Sequence, residues 1–179
     1  MSGSGAKQPE PWLRGTMGEV PTVGRAVLHA LQLAQEDLLT WCGDLSDEEL
    51  NARPGGIAPV AFHLRHIAGS SDRLLTYAEG RQLDAAQIAT MKAELLPGAK
   101  KSELFAELAA TNEQAAQRVR RLASSDLDAA RGVGSKQLPT TVGGLLVHVA
   151  DHTQRHVGQA ITTAKIVLAQ RSAPRQPGA

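Results

Sequence analysis

The chain has 179 residues, 19 of them basic and 18 acidic, for a formal net charge of +1; this length suits one domain, and the balance gives no electrostatic footprint for nucleic acid. Hydrophobic residues make up 42% and aromatic residues 3%, enough for a single core but poor in the side chains that build strand faces, so disorder throughout is excluded and the composition favours helix over an all-β fold. No apolar run approaches the ~20 residues that span a bilayer, residues 1–20 carry no apolar signal segment, and the lone cysteine, Cys42, permits no internal disulfide. The expectation is a cytoplasmic protein with no membrane partner, and Cys42 reads as a partly buried free thiol.

Residues 1–21 are expected to form a partly flexible tail, Gly/Ser/Lys/Pro-rich from Met1 to Pro11, with Trp12 and Leu13 as a potential anchor. From Thr22, apolar residues recur at helical spacing (Val23, Val27, Leu28, Leu31, Ala34, Leu38, Leu39), and Gly43 stands where a helix would stop. Ser46-Asp47-Glu48-Glu49 has the form of a capping box for a short connector that Arg53-Pro54-Gly55-Gly56 ends. A second long helix is predicted from about Ala58 to Glu79, closed by Gly80, and Gln82 to Leu95 has room for a short one. After Pro97-Gly98, Ser102 is the expected cap of a third long helix reaching Ala123. A polar loop through Gly132, Gly134 and Pro139 leads to Thr140 or Thr141, either of which could cap a fourth long helix ending near Leu168. The pattern predicts an all-α, up-down four-helix bundle over residues 22–168 with short connecting helices, followed by a C-terminal tail at 169–179.

Five of the six histidines fall in two helices: His63 and His66 in the second, His148, His152 and His156 in the fourth. His29 stands alone and reads as an ordinary packed histidine. At about 100° per residue, the three histidines of the fourth helix share a stripe about 80° wide with Gln159 and Thr163, between an apolar and a charged sector. On the second helix, His63 and His66 share an intervening sector with Ser70, Arg73 and Tyr77. Imidazoles four apart lie one above the other, so two ring nitrogens can converge on one cation at ~2.0 to 2.1 Å, with a third supplied by the other helix. The alternative is a polar seam in which the histidines hydrogen-bond one another and Gln159. Imidazoles crowded together become a charged cluster on protonation, a problem that a cation relieves.

The second-helix stretch Ile57-Ala58-Pro59-Val60-Ala61-Phe62-His63-Leu64-Arg65-His66-Ile67-Ala68-Gly69, with Asp72-Arg73-Leu74 beyond it, resembles the DinB/YfiT-like family of bacterial metal-binding four-helix bundles. So does Thr141-Val142-Gly143-Gly144-Leu145-Leu146, continuing into His148-Val149-Ala150-Asp151-His152-Thr153-Gln154-Arg155-His156-Val157-Gly158-Gln159. The resemblance implies a divalent metal, nickel or zinc, held by His66 from the second helix and by His152 and His156 from the fourth. It also implies a homodimer acting on a small-molecule substrate. Among activities, it suggests an S-transferase using a low-molecular-weight thiol, then a metal-dependent hydrolase, then a non-enzymatic metal- or ligand-binding bundle. Within it, His148 and His63 stand beside the triad, each as a partner of the ligands, a proton carrier or a substitute ligand, with His148 the candidate base; Arg73 is an anchor for an anionic thiol or substrate, and Tyr77 or Gln159 a hydrogen-bond donor. Hydrolysis would need a carboxylate or histidine base beside a bound water, and the sequence places no carboxylate there; Asp151 points about 100° away from His152 on the same helix, within reach only of a neighbouring one.

Overall fold

Four long helices build the molecule: α1 (Thr22–Cys42), α3 (Val60–Ala78), α5 (Lys101–Ala123) and α6 (Val142–Ser172). The short helices α2 (Asp47–Asn51) and α4 (Ala85–Ala93) lie in the connections, and a two-stranded hairpin, β1 (Ala130–Val133) and β2 (Leu138–Thr141), joins α5 to α6. These elements come from a computed structural model that describes residues 8–172; the outer parts of the expected tails, 1–7 and 173–179, lie outside the described residues.

Local chemistry accounts for most of the helix ends. The Gly43 N–H closes α1 on Leu39 O at 3.1 Å. Ser46 and Glu49 form the reciprocal capping box of α2, and Gly80 ends α3 in the left-handed region at φ 78°. The Thr141 hydroxyl accepts from the Gly144 N–H at 3.0 Å and opens α6. Ser102 is not the cap of α5. Lys100 holds that position without a side-chain bond, and the Lys101 N–H is satisfied by Asp47 Oδ1 at 2.8 Å, so a neighbouring helix does what a local hydroxyl was expected to do. The α6 helix continues past Leu168, with Arg171 paired to Glu49.

Two apolar clusters fill the bundle. One gathers Leu38 and Cys42 of α1, Val60 and Leu64 of α3, Leu104 and Leu108 of α5, and Ala160 and Ala164 of α6. The other gathers Val27 and Leu28 of α1, Leu75 and Ala78 of α3, Val119 and Leu122 of α5, and Val142 and Leu146 of α6. The start of α1 thus meets the start of α6 but the ends of α3 and α5, so the long helices run up, down, down, up. Residues 79–100, with α4 among them, carry the chain back between the two parallel helices α3 and α5. Helix α6 packs mainly on α1 and α3. Cys42 is buried, and that burial pushes its thiol up to about 12, so it is not a thiolate at neutral pH.

The hairpin replaces the polar loop expected before α6. Ala130 pairs with Thr141 and Val133 with Leu138, and the turn takes positive φ at Gly134 and Gln137. Arg131 Nε donates to Ala78 O at 2.8 Å, fastening the hairpin to the end of α3. Residues 8–21 also pack on the bundle: Val20 is buried, and Arg14 forks onto Glu36 of α1 with both contacts at 2.7 Å.

Candidate metal centre

Helices α3 and α6 pack antiparallel, which sets the histidines of one against those of the other. His66 Nε2 lies 2.9 Å from His152 Nε2, and His63 Nδ1 lies 3.1 Å from His156 Nδ1. One ligand nitrogen from each of His66, His152 and His156 falls within 4.8 Å of the others. The 2.9 Å gap is less than twice a ~2.0 to 2.1 Å metal–nitrogen bond, so both nitrogens can reach one ion.

The protonation chemistry suits a cation as well. Burial first, then the other imidazoles, push His63 and His152 down to about 4; burial, His66 and Arg155 do the same to His156. These rings are neutral at pH 7 and offer lone pairs. Three nitrogens on two helices, without a cysteine among them, fit a borderline divalent ion and leave room in its coordination sphere for an exogenous ligand.

A carboxylate that the sequence reading did not identify fixes one of these lone pairs. Glu94, the residue that closes α4, is buried, and its Oε2 lies 2.7 Å from His66 Nδ1. With the proton of His66 held at Nδ1, its Nε2 lone pair faces His152. The other carboxylate oxygen accepts from Arg73 Nη1 at 2.8 Å. Burial opposes the charge on Glu94, but the hydrogen bonds from His66 and Arg73 outweigh it and hold the pKa below the ordinary carboxylate value. Gly69 makes this approach feasible: a Cβ there would stand 2.6 Å from Arg73 Nη1 and 2.8 Å from Glu94 Oε1. Helix α4 buries none of its own residues; Gln87 Nε2 ties it to α3 through Asp72 Oδ2 at 2.6 Å and Thr76 Oγ1 at 2.9 Å.

Phe62 is the other neighbour not singled out from sequence. Its ring stacks on His66 at 5.2 Å and 22° and meets His63 and His156 edge-on, giving the cluster an apolar wall. Its signal was adjacency to His63, but one phenylalanine on an amphipathic helix reads equally well as core.

The other sequence candidates are distributed around this centre. His63 is buried beside His156. His148 is half exposed, its ring 5.3 Å from that of His152 and its Nδ1 3.7 Å from Asp151 Oδ2. Asp151 also pairs with Arg155 at 2.7 Å. The buried Arg73 guanidinium is bonded to Glu94, Tyr77 packs in the apolar cluster with Leu28 and Leu31, and Gln159 is exposed one turn beyond His156. His29 is buried away from the cluster, 3.3 Å from Thr16 Oγ1.

Fold and site together define a helical bundle with a three-histidine cluster able to hold a divalent cation. The model of the DinB superfamily matches residues 30–160, most of the bundle and all three histidines, and the chain belongs to that superfamily. No curated protein sequence matches it. No helix among the described residues is long and apolar enough to cross a membrane.

Proposed function

We propose that the chain is a metal-dependent enzyme in which His66, His152 and His156 hold nickel or zinc, and that it transfers a low-molecular-weight thiol to a small electrophile. The observation that carries this reading is the convergence of three imidazole nitrogens from two helices, one with its lone pair fixed by a buried carboxylate. A divalent ion held there would supply Lewis acidity that lowers the pKa of a bound thiol.

The protein's own groups then have separable tasks. Glu94 keeps the His66 proton on Nδ1. His63 can accept the His156 Nδ1 proton across their 3.1 Å contact, which leaves His156 Nε2 as the ligand nitrogen. His148, half exposed beside His152, can take a proton from an incoming thiol and pass it to solvent. Phe62 shields one side of the cluster from water. Hydrolysis on the same ligands would need a carboxylate or histidine base beside a bound water; the nearby carboxylate, Glu94, is engaged by His66 and Arg73 on its two oxygens, so His148 would be the base in either reaction. The thiol requirement separates the two readings, and transfer is the one we favour.

The test is consumption of a thiol with an electrophile such as 1-chloro-2,4-dinitrobenzene by zinc- or nickel-loaded protein. Turnover that requires the metal and falls in His148→Ala, with metal content retained, supports transfer. Metal-dependent water attack with no thiol requirement replaces it with hydrolysis.

A further inference from the structure

Beyond the last ligand turn of α6 lies a cavity of about 550 Å³, within the usual size range of small-molecule sites. Its walls come from α6, from the start of α3 and from the segment leading into α3. His63 forms its inner wall and touches His156 on the other side, so a single imidazole separates the cavity from the histidine cluster. A molecule lying here would thus have one end beside the proposed metal centre.

The lining has an apolar part and a donor-rich part. Ile57, Ala58 and the bare backbone of Gly158 supply the apolar surface. A Cβ built on Gly158 meets nothing within 4 Å, so the space above this residue is open. The Thr162 hydroxyl is committed to Gly158 O at 2.9 Å and that of Thr163 to Ala58 O at 3.4 Å. The donors left for a ligand are the Gln159 amide, the His63 Nε2–H, which carries the ring's proton when Nδ1 accepts from His156, and the Arg155 guanidinium, of which only Nη2 is engaged among the described residues, by Asp151 at 2.7 Å. A guanidinium edge matches a carboxylate in shape and charge. With Asp151 already offsetting part of the Arg155 charge, the site suits a monoanion better than a phosphate dianion.

We propose that this cavity is the substrate subsite and takes a small organic monocarboxylate, its carboxylate on Arg155 and Gln159 and its carbon body against Ile57, Ala58 and Gly158. The assignment deepens the functional reading above and rests on it for the chemistry, while binding itself can be measured with or without metal.

Benzoate is a suitable probe, with benzamide as its neutral counterpart, titrated into the full chain in zinc-loaded and metal-free form and followed by calorimetry. Benzoate is expected to saturate both forms, with benzamide about tenfold weaker or worse. Arg155→Gln should weaken benzoate by about tenfold, and Gly158→Leu, whose side chain grows into the open space, should abolish its binding. Both variants should keep wild-type metal content; Arg155→Gln should keep the melting temperature, and Gly158→Leu, which removes a glycine from the interior of α6, should keep or raise it. Benzoate binding that survives Gly158→Leu, that benzamide equals, or that occurs only on the loaded protein overturns the proposal. So does a wild type that holds its metal and binds no benzoate. A wild type that binds benzoate with the expected variant pattern yet takes up no metal supports the cavity and contradicts the metal-centre reading.

Discussion

Helices α3 and α6 bring histidines to one place by different means. On α3, His66 is oriented from outside its own helix: Glu94 arrives from the crossover, accepts from Nδ1, and is itself held by Arg73, two turns further along α3. On α6, His156 leans on His63, while His152 Nδ1 is buried with no hydrogen-bond partner. An unpaired buried polar nitrogen costs about 1–3 kcal/mol. The far nitrogen of the α3 ligand is therefore fixed by a charged hydrogen bond, whereas that of His152 is held by packing alone and only its Nε2 has a partner, in His66. A centre built this way has one rigid side and one side that can adjust.

The strongest way to break this contrast is Glu94→Ala. It removes the acceptor of His66 and strands the buried Arg73 guanidinium, so we expect a loss of about 3–5 kcal/mol in chemical denaturation. Metal affinity, measured by chelator competition, should fall about 10- to 100-fold. Unchanged affinity would mean that His66 is not aimed by Glu94.

Acid should reveal the cluster next. His63, His152 and His156 are lowered from 6.5 to about 4 in the fold, so between those values the unfolded chain binds protons that the folded chain refuses. Their contribution is complete above pH 6.5 and is lost as pH falls toward 4. The metal-free protein should lose on the order of a few kcal/mol across that window, and excess zinc should flatten the upper part of the slope. A thermal midpoint that rises on acidification from 6.5 to 4 would contradict the burial of neutral imidazoles.

Gly69→Ala sharpens the contrast more gently. The new methyl must displace the ends of Arg73 and Glu94, for an expected cost of about 1–3 kcal/mol and a weaker metal affinity without loss of any ligand; wild-type affinity and stability would show that the pair has slack. The smallest effect belongs to His63→Leu, which takes the partner from His156 but keeps the volume filled. Metal affinity should fall by less than in Glu94→Ala, and a larger fall would make His63 more than a neighbour.

Much of this architecture was legible because its signals are local. Gly43, the Ser46–Glu49 capping box, Gly80 and Thr141 each mark a helix end by backbone chemistry, and the histidine stripes on α3 and α6 are visible from helical periodicity. The hairpin was not legible: Ala130–Val133 and Leu138–Thr141 are short, lack alternating hydrophobicity and include Pro139, and a long-range bond from Arg131 fastens them to α3. Glu94 was hidden for a related reason. It ends a helix with no buried face, so nothing in its neighbourhood marks a buried acid, and only the return path between two parallel helices brings it to His66. Gly69 reads as a plain helical glycine until the side chains crossing above it are known.

Metal content by inductively coupled plasma mass spectrometry, after removal of adventitious ions and reloading with zinc or nickel, tests the centre most directly. Wild type and His29→Ala should each carry about one divalent ion per chain, and His152→Ala should carry none. Equal metal content in all three proteins, or a wild type that takes up neither ion, would contradict the three-histidine centre and leave the imidazoles as a polar seam between α3 and α6.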